Sequence, residues 1–162
     1  MMDLFTLDDT VATWESALPR LHGDARLPVL QALAWHLRQR DTPRALELAA
    51  ETRAMLPDAA LPAPERAALE ARLQLVHAEA QWLGGELAPA LAQASAVLQR
   101  FTQLADATGC ADSYWLLAWI AVDQGDHGAG DTAFAACAEQ ARRAGDLLRC
   151  ALAEAALARW AV

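Results

Sequence analysis

The chain contains no lysine and no asparagine, and its only isoleucine is Ile120. All three residue types have AT-rich codons, so their joint scarcity points to a GC-rich, bacterial coding sequence and not to a functional device. β-Branched residues are few and scattered, and no stretch alternates apolar and polar side chains for long, which leaves strands without support. Positive charge is also short: 13 basic residues against 21 acidic ones give a net charge of −8. Neutralising phosphates requires a basic face, so nucleic-acid binding is excluded as the expected activity. No run approaches the roughly 18 consecutive apolar residues of a membrane span. Residues 1–9 lack a basic region followed by an apolar one, which excludes a secretory signal and predicts a cytoplasmic protein. Only three cysteines occur, Cys110, Cys137 and Cys150, an odd number in no metal spacing, and they read as buried free thiols.

What is present favours helix throughout. Hydrophobic residues make up 55% of the 162 positions, many of them alanine, and leucine, glutamate, glutamine and arginine complete a set of strong helix formers. The length suffices for one domain with a real core. Asp9 or Thr10 caps a short first helix with Val11, Trp14 and Leu21 on its apolar side, ending at His22-Gly23. Further helices are predicted over 24–39, 43–55, 64–83, 87–107, 112–123, 129–144 and 147–162. Thr42 is the expected cap of the third, with Pro43 in its first position, and Gly109 the expected terminator of the fifth. The proline-rich stretch 57–64 reads as a stiff loop between helical pairs.

Three helix-to-helix turns resemble one another: Arg40-Asp41-Thr42-Pro43-Arg44-Ala45, Gly85-Glu86-Leu87-Ala88-Pro89-Ala90 and Gly125-Asp126-His127-Gly128-Ala129-Gly130. Each has an acidic residue followed four positions later by a small one. Asp41, Glu86 and Asp126 are spaced 45 and 40 residues apart. Self-similarity of this kind is the mark of a repeat array, in which each unit buries its apolar side against its neighbours. The units are 24–57, 64–108 and 111–144, with a cut unit at 146–162 and residues 1–23 as a capping helix. The last helix ends apolar and uncapped, so the chain is expected to be part of a longer protein. Leu148, Leu152, Ala156 and Trp160 should pack back on the preceding hairpin or be covered by a second copy.

Catalytic signatures do not assemble. Gly128-Ala129-Gly130-Asp131 follows a turn between helices, where a phosphate loop would need a strand. Ser16, Ser95 and Ser113 sit in no nucleophile elbow. His77-Ala78-Glu79 is half of a zinc-deaminase signature without the Pro-Cys-x-x-Cys that must follow. His22, His36, His77 and His127 share no ligand spacing. The expectation is a non-enzyme with no metal and no cofactor.

The repeated units resemble tetratricopeptide repeats, although longer than that family's roughly 34 residues. The first supplies Ala45 and Pro57, with Leu33 flanked by Ala32 and Ala34 at the first small site. The second supplies Ala78, Gly85 and Ala90, with Ala94 where a larger residue is usual. The third supplies Ala118, Gly125, Asp126, Gly130 and Phe134 but lacks the proline. The resemblance implies an all-α, right-handed superhelical array of antiparallel helical hairpins, with the first helix of each hairpin lining a concave groove. In that register the groove-facing residues are Arg72, Leu75, Glu79 and Trp82 of the second unit and Asp112, Trp115, Trp119 and Asp123 of the third. Arg149 contributes from the last helix. Six tryptophans are many for this length. Trp14 and Trp35 read as core. Trp115 and Trp119, four apart on one helical face, are open between core and groove.

The Ala141-Arg142-Arg143-Ala144-Gly145-Asp146 junction is similar to inter-repeat turns of bacterial regulatory arrays, which precede diguanylate cyclase (GGDEF) domains or stand beside helix-turn-helix domains in large transcription regulators; the start methionine favours the cyclase arrangement. The resemblance implies a non-catalytic interaction or sensory module that takes a peptide or partner domain in its groove and regulates a downstream output domain. Two alternatives stand beside it. One is a small-molecule sensor with Trp115 and Trp119 as an aromatic pocket and Arg72 or Arg149 as an anion anchor. The other is a stand-alone adaptor that forms a homodimer through its last helix.

Overall fold

The computed structural model describes residues 3–159. Among them are eight α-helices and no strand: α1 (Asp8–Ala17), α2 (Leu27–Leu37), α3 (Thr42–Met55), α4 (Ala63–Leu83), α5 (Leu87–Gln103), α6 (Ala107–Asp123), α7 (His127–Ala144) and α8 (Leu147–Arg159). Short 3-10 turns occupy Leu18–Arg20, Gly23–Arg26 and Leu56–Asp58. The protein is all-α.

Several boundaries differ from the expectation for local reasons. Leu7, not Asp9 or Thr10, stands at the N-cap of α1, and no side chain caps that helix. Helix α2 begins at Leu27 because Gly23–Arg26 is wound as a 3-10 turn. Asp41, not Thr42, caps α3 by accepting from the Arg44 N–H at 3.1 Å, while the Thr42 hydroxyl bonds back to the Arg38 carbonyl at 2.7 Å. The largest shift is at Gly109, which does not terminate α5. That helix ends at Gln103, and Gly109 lies inside α6, where a Cβ would stand 2.3 Å from the Phe101 ring. This glycine exists for close approach, not for a turn.

The last four helices start on a regular beat. Glu86, Asp106, Asp126 and Asp146 immediately precede α5, α6, α7 and α8 and are 20 residues apart. The three aspartates each accept from the N–H three positions on, at Gly109 (2.9 Å), Ala129 (2.9 Å) and Arg149 (3.0 Å), which satisfies a donor left over at every helix start. The residue before each acid has a left-handed backbone: Gly85 (φ 80°), Ala105 (φ 53°), Gly125 (φ 82°) and Gly145 (φ 69°). Ala105 is the exception to the glycine rule at this position. A left-handed Cβ residue carries roughly 1–2 kcal/mol of strain, partly offset by the greater freedom glycine would have in the unfolded chain. Ala105→Gly should therefore raise stability by about 0.5–1 kcal/mol, read as a melting temperature about 1–4 °C higher. A lower melting temperature would contradict this account of the turn.

Consecutive helices from α2 to α8 pack on one another, and α4 also touches both α2 and α6. Ala45, Ala90 and Ala118 are fully buried, as the repeat register requires of its small residues. Leu30, Leu33, Leu48 and Leu73 form the core at one end, and Trp35, Leu75, Phe101 and Ile120 carry it onward. The loop after α3 is tied down: the Arg66 guanidinium donates to the carbonyls of Leu56 and Ala59, and Asp24 accepts from the Ala60 N–H at 2.8 Å. On α8, Ala153 and Ala156 are buried, Leu152 is half-buried, and Leu147 and Leu148 are exposed. Leu148 is thus neither packed back nor covered within the chain, and Trp160 lies outside the described residues.

His36 is buried beneath Trp14, with ring centroids 5.6 Å apart. Burial first, and the Arg38 charge second, push its pKa from 6.5 down to about 4. The folded protein then holds His36 neutral where the unfolded chain protonates it. Stability is fully present above pH 6.5 and is lost as pH falls from there through about 4. Urea unfolding between pH 7 and pH 4 should show this loss, and it should be smaller for His36→Gln.

Candidate functional site

The even-numbered helices bring the expected site residues to one face, joined by a ladder of polar contacts. Arg38, which ends α2, donates to Glu79 of α4 at 2.7 Å, and Gln39 bonds the other oxygen of the same carboxylate. Arg72 of α4 donates to Asp112 of α6 at 2.6 Å. Arg149 of α8 reaches the same Asp112 at 2.8 and 3.2 Å. Trp82, near the end of α4, donates its indole N–H to Asp123, at the end of α6, at 2.6 Å. The partners lie 41, 40, 37 and 41 residues apart in sequence, so each contact joins one even-numbered helix to the next.

Most of these groove-facing candidates are buried, not open to solvent. Arg72, Glu79, Asp112 and Arg149 are all at most 6% exposed, whereas Asp123 is exposed and held by Trp82. Burying a charge is costly unless it is paired and hydrogen-bonded, and here each is. The Arg72 guanidinium also lies between the Trp35 and Phe101 rings, 4.7 and 4.9 Å from their centroids, and Arg38 stacks 3.7 Å above Trp35. Neither Arg72 nor Arg149 is available as an anion anchor, because both are committed to Asp112. Asp146 also pairs with Arg149. Burial opposes its ionisation, but the N–H and guanidinium of Arg149 outweigh that and hold its carboxyl below the ordinary value.

Trp115 and Trp119 are half-buried, so neither ring lies wholly in the core. With Phe134 they form an edge-to-face triad, with centroid separations of 5.8, 5.4 and 5.4 Å. One side of the pair packs toward Phe134, Ala118 and Ala156. The other borders a cavity of about 210 Å³, together with Leu4, Phe5, Trp82 and Leu152. Arg38, Gln39, Asp112, Cys137 and Arg149 complete its wall. Burial pushes the Cys137 thiol up to about 12, so it stays protonated and unreactive toward electrophiles. Cys110 and Cys150 are likewise buried, unpaired and raised by burial.

A second cavity, of about 470 Å³, opens at the other end of the same helices. Its wall carries the carboxylates of Asp24, Glu65 and Asp106, with Arg72 as its only basic residue. Among the described residues no group of three or more His, Cys, Asp or Glu is placed to hold a metal ion, and no helix is long and apolar enough to cross a membrane.

Sequence reasoning missed Arg38, Gln39 and the segment ahead of α1. The first had a usable signal, since Arg38 and Glu79 stand one repeat apart with opposite charge. The segment had none, because an apolar pair before a short helix is common in any chain. Comparison with protein-family models, with curated proteins and with solved structures gave no match.

Proposed function

We propose that this chain is a non-catalytic interaction module, a tetratricopeptide-like array of helical hairpins whose even-numbered helices line a concave groove for a peptide or partner domain. In this reading it belongs to a longer bacterial, cytoplasmic signalling protein and regulates a downstream output domain such as a diguanylate cyclase. The observation that carries the reading is the pair Trp115 and Trp119. They are half-exposed aromatic rings, braced from behind by Phe134 and fronting a cavity with Trp82 on its wall. Large rings held rigid by neighbours and open on one side are what a binding hot spot requires. The buried ion-pair ladder holds successive units in one register beneath them and presents a neutralised, preorganised floor.

The cavity beside these rings favours a peptide over a metabolite. Its 210 Å³ falls below the roughly 300–1,000 Å³ usual for small-molecule sites, and its arginines are already paired. The test is to pan a displayed peptide library on the purified chain and to follow binding of the selected peptides by tryptophan fluorescence. Selection of peptides that perturb tryptophan emission and are lost in Trp119→Ala supports the reading. A library that yields only binders indifferent to that substitution overturns it.

A further inference from the structure

We infer that the segment ahead of α1 is a tethered ligand: the groove takes a peptide in which a leucine adjoins a large aromatic residue and an acid follows, and residues 3–7, with Asp8 at the helix start, occupy that place in cis. The inference rests on the groove reading above and names its ligand class.

The observations are of contacts that any such peptide could make. The Asp3 carbonyl accepts from the Trp35 indole N–H at 3.2 Å. The Thr6 carbonyl accepts from Arg40 at 2.9 Å, and Arg40 also pairs with the Asp8 carboxylate. Two main-chain carbonyls three residues apart are therefore read by side chains of the helical body, a recognition that does not depend on the side chains of the segment. Leu4 supplies the specificity, half-buried against the cluster that contains Trp35 and Trp82. Phe5 borders the 210 Å³ cavity in front of Trp115 and Trp119 yet remains 60% exposed.

The tethered segment underfills its site, and the geometry supplies the reason. Helix α1 begins at Asp8, so Phe5 is joined to it through only two residues, which limits how far its ring can follow the cavity. A free peptide has no such constraint and can seat its aromatic ring in the cavity. The tether is also weakly held. Its ion pair is largely exposed, with Asp8 90% and Arg40 44% accessible, and exposed pairs of this kind contribute little. Occupation in cis lowers apparent affinity by the fraction of molecules in which the groove is open, so releasing the segment should raise it.

The probe is a fluorescent heptapeptide with the sequence of residues 3–9, Asp-Leu-Phe-Thr-Leu-Asp-Asp, titrated against the full chain. The Leu4→Asp/Phe5→Asp variant should bind it severalfold more tightly than the wild type, and Trp119→Ala introduced into that variant should abolish the gain. Leu4→Ala is the milder second variant, checked for helicity in parallel, and should give a smaller gain in the same direction. Equal affinity of the wild type and both released variants, or equal binding of a heptapeptide with Leu and Phe replaced by Asp, would overturn the inference. If library-selected peptides bind in a Trp119-dependent manner while the heptapeptide binds no variant, the tethered ligand is wrong and the groove reading stands. If neither binds, both fall.

Discussion

Asp112→Ala should destabilise the fold by about 3–5 kcal/mol, the cost of removing one partner from a buried ion pair and leaving the other charge uncompensated. Two guanidiniums depend on this one carboxylate. Arg72 is 4% and Arg149 is 3% exposed, so each keeps little contact with water to offset the lost partner. Their other acidic neighbours compensate unequally. Asp146 stays on Arg149, but the nearest oxygen of Asp106 is 3.9 Å from Arg72, too long for a hydrogen bond. The melting temperature should fall by about 6–20 °C for a domain of this size. Asp112→Asn, which keeps the shape and part of the hydrogen bonding, should fall between the two. The triple replacement of Arg72, Asp112 and Arg149 by apolar residues of similar volume should recover much of the loss, because removing a whole buried network is far less costly than breaking it. A melting temperature within 2 °C of the wild type for Asp112→Ala would show that the ladder does not hold the repeats together.

Gly109→Val should cost about 3 kcal/mol or more through overpacking. The Cβ alone would stand 2.3, 2.4 and 2.6 Å from three atoms of the Phe101 ring, which is fully buried between α5 and its neighbours and has nowhere to retreat. A control lies in the next helix. Gly128 sits in the first turn of α7 with its nearest neighbouring atom 3.8 Å from a Cβ, so Gly128→Ala should be neutral or slightly stabilising. Pairing Gly109→Ala with Phe101→Leu should restore part of what each loses alone, since the smaller side chain makes room for the added methyl. Strict additivity of that pair in thermal melting would count against the contact.

Helix content was legible because composition, apolar periodicity and turn residues all point the same way. Boundaries were less so, and Gly109 illustrates why. A glycine near a helix end looks the same in sequence whether it serves a left-handed turn or the approach of a ring. The actual turn residue, Ala105, is disguised by having a Cβ. The 20-residue beat of Glu86, Asp106, Asp126 and Asp146 is present in the sequence, at half the spacing of Glu86 and Asp126 in the similar turns. Of the site, register arithmetic brought Arg72, Glu79, Trp82, Asp112, Trp115, Trp119, Asp123 and Arg149 to one face, because they recur with the helical period on first helices. It could not tell floor from rim. Whether a charge is buried depends on a partner one repeat away, and the partners Arg38 for Glu79 and Asp112 for two arginines emerge only when the helices are in place.

The central claim is that the Trp115–Trp119 face is a binding surface, and the most direct measurement is the affinity of a library-selected peptide for the wild type and for Trp119→Ala, well below the melting temperature of both. Trp119 is half-exposed and leans on Trp115 and Phe134, so its truncation should cost far less stability than loss of a fully buried ring. The account predicts a loss of about 2 kcal/mol or more in binding, some 30-fold in Kd, with helicity preserved. Unchanged affinity would contradict it, and so would a fall of about 3–5 kcal/mol in stability, the signature of a ring that serves packing alone.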